Sequence, residues 1–124
     1  MKGQEIRVLM VEPNEHPKEF LLKNTLPAMQ EAVGGLIDIV DLNDDACILL
    51  NDEGKLTGLE GNRRINGDVI AGKFYVCSST ENGELASLSD EVLEKYREMF
   101  WEPEEITQEE IEATCRIEFY PLDF

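Results

Sequence analysis

Basic side chains are scarce in this sequence: 11 lysines and arginines face 27 aspartates and glutamates, a formal net charge of −16 on 124 residues. A field of that sign repels nucleic acid and anionic membrane and draws in cationic surfaces, so the partner it suits is a basic protein rather than nucleic acid itself. The deficit is uneven. Residues 1–77 hold 13 acidic and 8 basic side chains, whereas residues 78–124 hold 14 acidic ones against Lys95, Arg97 and Arg116 alone.

Other absences narrow the function further. No stretch approaches the roughly 18 apolar residues of a membrane span, and the N-terminus lacks a basic segment leading into an apolar run, so the expected location is a cytoplasm. Cys47, Cys77 and Cys115 are odd in number and scattered through apolar stretches, which suits buried free thiols better than a disulfide framework. They form no CxxC pair for zinc. His16, the one histidine, sits in a turn between Glu15 and Pro17 and reads as a surface residue. Asp41, Asn43, Asp45 and Asp52 fall near calcium-loop positions, but Ala46 stands where the sharp-turn glycine belongs and strands flank the segment. No nucleophile elbow occurs, and the spacing of Gly58, Gly61 and Gly67 does not make a phosphate loop. The expectation is a protein that is not an enzyme and that holds no metal or cofactor.

What is present is enough apolar material, 42% of residues, for one core in one domain. Ile6–Val11 is an apolar run stopped by Glu12-Pro13-Asn14 and predicts a buried strand, with Lys18–Lys23 a short second one. Asn24 or Thr25 caps a helix with Pro27 in its first turn, with Leu26, Met29 and Val33 on one face and Gly34-Gly35 at its end. Strands follow over Leu36–Leu42 and Ala46–Leu50, then a polar, glycine-rich loop from Leu56 to Gly67. Asp68–Ser78, rich in β-branched and aromatic residues, reads as one strand near the sheet centre. Ser89 opens the clearest helix, with Val92, Leu93, Tyr96, Met99 and Phe100 facing inward, Glu91, Lys95, Glu98 and Glu102 outward, and Pro103 closing it. Thr107-Gln108-Glu109-Glu110 has the form of a capping box for a helix reaching about Thr114, and Cys115–Phe119 alternates as an edge strand.

The fold expected is therefore a single α+β domain, a mostly antiparallel or mixed sheet of four to six strands with two or three helices packed on it. Residues 1–103 form its core, and residues 104–124 an acidic C-terminal extension, a short helix plus an edge strand, within the same domain.

Several motifs resemble a family of small uncharacterised proteins encoded by bacteriophages and conjugative elements of Gram-positive bacteria. They are Val8-Leu9-Met10-Val11-Glu12-Pro13, Asn24-Thr25-Leu26 with Gln30 and Val33-Gly34-Gly35, Asn51-Asp52-Glu53-Gly54-Lys55-Leu56, Gly58-Leu59 and Asn62-Arg63, Asp68-Val69-Ile70-Ala71-Gly72, and Leu88-Ser89-Asp90-Glu91 with Lys95-Tyr96. Together they span Ile6 to Pro103. The resemblance implies a mobile-element origin, a setting in which small acidic proteins often block host defences, and it brings no known catalytic residue.

Two places carry candidate binding residues. Between Glu98 and Glu112 lie seven glutamates with no basic residue among them. On a helix, Glu105, Glu109 and Glu112 would share one side, rising about 6 Å per four residues, a sparser version of the roughly one charge per 1.7 Å that a duplex presents. Glu98, Glu102, Glu105, Glu109 and Glu112 are the candidate partner-binding residues, with a solubilising face as the plain alternative; Trp101, in an apolar knot with Met99 and Phe100, reads first as core and, where partly exposed, as their apolar anchor. The second place is Asn62, Arg63 and Arg64, whose guanidinium forks suit a phosphate or carboxylate, unless they pair with Asp68 or Glu60. The reading favoured is an acidic mobile-element protein that inhibits a host nucleic-acid-handling defence enzyme, of CRISPR or restriction type, by occupying its basic surface. The alternatives are a small anionic-ligand or nucleotide sponge built on Asn62, Arg63 and Arg64, and a phage structural or assembly accessory.

Overall fold

A computed structural model describes residues 5–43 and 45–119. The chain forms a single α+β domain in which an antiparallel six-strand sheet is covered on both faces. Its strands are β1 (Glu5–Val11), β2 (Lys18–Lys23), β3 (Ile37–Asn43), β4 (Ala46–Asn51), β7 (Phe74–Ser79) and β8 (Leu85–Ala86), and a separate hairpin joins β5 (Gly61–Ile65) to β6 (Asp68–Ala71). The main order is β2-β1-β7-β4-β3, with β8 paired to the end of β7, so the expected central strand does lie mid-sheet.

Period-two alternation with both faces covered explains why β1, β4 and β7 are apolar through most of their length. Leu9, Val11, Ile48, Phe74 and Val76 point to one face, where helix α2 (Asp90–Met99) supplies Leu93, Tyr96 and Phe100 and the hairpin supplies Ile70. Val8, Leu49, Tyr75 and Cys77 point to the other, where helix α1 (Leu26–Val33) lays down Met29 and Val33. A strand buried on both sides has no polar face to show. Both helices start as their caps dictate: Thr25 Oγ1 accepts from Ala28 N at 3.3 Å and Ser89 Oγ from Val92 N at 3.2 Å.

Several elements depart from the sequence expectation. The stretch 61–65 is a strand rather than loop, because Asn66 (φ 52°) and Gly67 (φ 84°) form a two-residue turn that folds it onto β6. The single strand expected over 68–78 is two, since Gly72 (φ 84°) bends the chain between them and its amide donates to Glu60 O at 2.7 Å. Helix α2 ends at Met99 with Phe100 as its cap, short of Pro103. Met99 lies about 90° around the helix from the buried stripe and is 55% exposed. Leu26, in the first turn of α1, is also 55% exposed rather than inward. The last helix, α3 (Gln108–Phe119), runs on through the segment read as an edge strand. Continuing a nucleated helix costs one residue's ordering per hydrogen bond gained, whereas an edge strand needs a neighbour to pair with. Among the described residues no helix is long and apolar enough to cross a membrane.

Candidate functional site

Two adjacent side chains of β5, Asn62 and Arg63, are wholly buried and hold the C-terminal region to the sheet. Arg63 Nε and Nη2 donate to Phe100 O (3.2 and 2.8 Å), Nη2 also to Glu15 O (2.7 Å), and Nη1 to Asn62 O (3.2 Å) and Asn62 Oδ1 (2.8 Å). Asn62 Nδ2 in turn donates to Val11 O (2.9 Å) and Gly72 O (3.0 Å). The guanidinium therefore ties three segments together: the turn after β1, the hairpin, and the end of α2. Its partners are neutral, and burial pushes its pKa down from the usual arginine value. Every donor is already engaged, so the fork proposed for an anion is used internally.

Arg64, the next residue, points the other way and captures the acidic segment. Nε and Nη2 form a two-point contact with the Glu110 carboxylate (2.6 and 2.8 Å), Nη1 reaches Glu104 Oε1 (2.9 Å), and Nη2 also donates to Glu105 O (3.1 Å). These bonds, those to Glu110 foremost, raise the arginine pKa, and the same contact lowers that of Glu110. The arginines do not reach the partners expected: Asp68 pairs with Lys55 (2.7 Å), and Glu60 accepts from Asn14 Nδ2.

The segment between α2 and α3 is also docked by packing. Ile106 lies so close over Gly61 that a Cβ there would stand 2.7 Å from the isoleucine side chain, and Ile111 of α3 is buried beside it. Thr107 Oγ1 accepts from Glu110 N (3.1 Å), the hydroxyl half of the expected capping box. The Glu110 carboxylate is turned to Arg64 instead of back to the cap. Because α3 begins at Gln108, Glu105 lies ahead of it; the three-membered helical row reduces to Glu109 and Glu112, about 4.5 Å apart along the axis.

Of the seven glutamates, two are thus neutralised. Glu98, Glu102, Glu105, Glu109 and Glu112 are exposed, and among the described residues none of these five makes an ion pair. Trp101 stands in their midst, 41% exposed. Its ring stacks on His16 with centroids 3.9 Å apart and planes 9° from parallel, and His16 Nδ1 lies 2.6 Å from Trp101 O. Two contacts to one imidazole fix the indole's orientation at the surface. The sequence placed His16 at the surface but held no sign of this stack, because 85 residues separate the two rings.

Elsewhere, Asp45 accepts from Lys95 Nζ (2.7 Å) and Tyr96 Oη (2.8 Å), which hold its carboxyl below the usual range. Cys47 and Cys77 are buried free thiols facing each other across β4 and β7, and burial raises the pKa of both. Cys115 falls in a stretch whose side chains lie outside the described residues.

Residues 6–101 match the model of a family described as a domain of unknown function, DUF3846. No solved structure matches the chain.

Proposed function

The chain belongs to the DUF3846 family, and we propose that this member works by binding, as an acidic inhibitor that covers the basic surface of a nucleic-acid-handling defence enzyme. One observation carries the reading. Five glutamates from Glu98 to Glu112 are exposed and unpaired among the described residues, on a segment fixed by Arg63, Arg64, Ile106 and the Thr107 cap, around an indole held in place by His16. A merely solubilising tail needs no such anchoring. Pre-set carboxylates repay binding better than mobile ones, because less side-chain and backbone freedom is lost when the complex forms. The resemblance to proteins of phages and conjugative elements supports the choice of a host defence enzyme, of CRISPR or restriction type, as the partner. Its nucleic-acid channel is a concentrated run of lysine and arginine, the surface that carboxylates on a rigid segment complement.

The test is inhibition of DNA cleavage by purified restriction and RNA-guided nucleases, with the wild type beside Glu105→Gln/Glu109→Gln/Glu112→Gln. The wild type is expected to inhibit at least one of them, and the triple variant to need at least tenfold more protein for the same effect. Equal potency of the two would overturn the assignment of the surface. The sponge alternative has less support, since Arg63 and Arg64 spend their donors on the chain's own carbonyls and carboxylates.

A further inference from the structure

The β3 margin of the sheet carries a second surface. Strand β3 ends the sheet order and, among the described residues, has β4 on one side only, leaving a row of backbone groups open to pairing. Among the described residues, four of the eight exposed large apolar side chains are Ile39 and Val40 on β3, Leu36 just before it and Leu56 in the loop after β4. Below the edge, between β3–β4 and the β5–β6 hairpin, lies a cleft of about 280 Å³ whose apolar lining includes Val40, Ile48, Leu50 and Ile65. Its rim is acidic: Asp38, Asp52, Glu53 and Asp68, with Lys55 the one basic residue among the described lining and that one held by Asp68.

We propose that the β3 edge takes an extended, cationic segment of a partner protein, which adds to the sheet as a further strand. The register defines what would fit. The regular pairing of β3 runs from Ile37 to Asp41 before the ladder shifts, so about five residues are available. Along it, Asp38 and Val40 face the cleft while Ile37, Ile39 and Asp41 face the α1 side, so each face carries one carboxylate beside one or two apolar side chains. The complement is a strand reading cation, apolar, apolar, cation, so that opposite charges and β-branched side chains meet directly across the pair. The Ile39 amide now donates to Asp38 Oδ1 (2.9 Å), a local bond that an incoming carbonyl could replace while an incoming lysine takes the carboxylate. A second copy of this chain fits the edge worse, because two strands bearing Asp38 and Asp41 and two molecules of net charge −16 would be brought together.

The probe is a capped, dye-labelled octapeptide, Thr-Thr-Lys-Val-Val-Lys-Thr-Thr, followed by fluorescence anisotropy, with backbone amide NMR on the labelled protein. Its controls are the same peptide N-methylated at both valines and a version with glutamate for lysine. Saturable binding is expected, with shift changes centred on residues 37–41 and at least tenfold weakening by N-methylation, by glutamate, or by Val40→Lys. Because Val40 is 40% exposed at an edge, that variant should keep the wild-type melting temperature. The triple glutamine variant at positions 105, 109 and 112 should bind the peptide as the wild type does, which separates this surface from the acidic one. Undetectable binding, equal affinity for the N-methylated peptide, or shift changes confined to residues 98–112 would overturn the proposal. So would concentration-dependent dimerisation abolished by Val40→Lys, which would assign the edge to self-association.

Discussion

Arg63 is the side chain on which the shape of the acidic region depends, because its guanidinium connects the turn at Glu15, the hairpin and the end of α2. Arg63→Ala would leave the buried Phe100 carbonyl and the part-buried Glu15 carbonyl without the arginine's donors and open a cavity, so we expect a loss of about 3 kcal/mol in chemical denaturation. Arg63→Lys should fall between the two, since an ammonium has three donors in no fixed fork and cannot span all three segments. Near-ultraviolet circular dichroism should report the damage through Trp101, whose rigid stacking on His16 is downstream of the clasp. Tyr75 gives a pH signature. Burial pushes its hydroxyl up to about 12, above the roughly 10 of an exposed tyrosine, so the folded state holds the proton that the unfolded chain releases. Its contribution to stability is thus intact below about pH 10 and declines as pH rises from there toward 12. A melting-temperature series across that range should show the decline, and Tyr75→Phe should flatten it.

At the scale of elements, the acidic segment is held by one close approach and one cap, and each can be removed separately. Gly61→Ala should push Ile106 off β5 and speed amide exchange over residues 104–113, with the six-strand sheet unaffected. Thr107→Ala should cost about 1 kcal/mol and fray the start of α3. The elements with local instructions were legible in the sequence: β1 and β4 as apolar runs, β2 as a short stretch able to pair beside β1, and α1 and α2 from Thr25 and Ser89. Strand β5 was not, because Gly61-Asn62-Arg63-Arg64 looks like solvent-facing loop until the buried acceptors of distant segments are known. The break after Ala71 hid inside an unbroken β-rich composition, and the alternating pattern at 115–119 fits a helix as readily as a strand once a cap upstream has nucleated one. The carboxylate cluster itself was plain from composition. Which of its members stay outward was not, since that depends on Arg64 selecting Glu104 and Glu110 from 40 and 46 residues away.

Over the whole molecule, net charge pulls stability and binding in opposite directions as ionic strength changes. A chain at −16 repels itself when folded, and among the described residues Glu98, Glu102, Glu105, Glu109 and Glu112 make no ion pair, so added salt should screen the repulsion and raise the melting temperature. The same screening should weaken capture of a basic partner. The most direct check of the proposed acidic surface is the affinity for a nuclease that the cleavage test shows to be inhibited, measured between 50 and 300 mM salt for wild type and the Glu105, Glu109 and Glu112 to glutamine variant. Wild-type affinity should fall steeply with salt and the variant's should start lower and fall less. Parallel lines at equal affinity would mean that these carboxylates take no part in recognition.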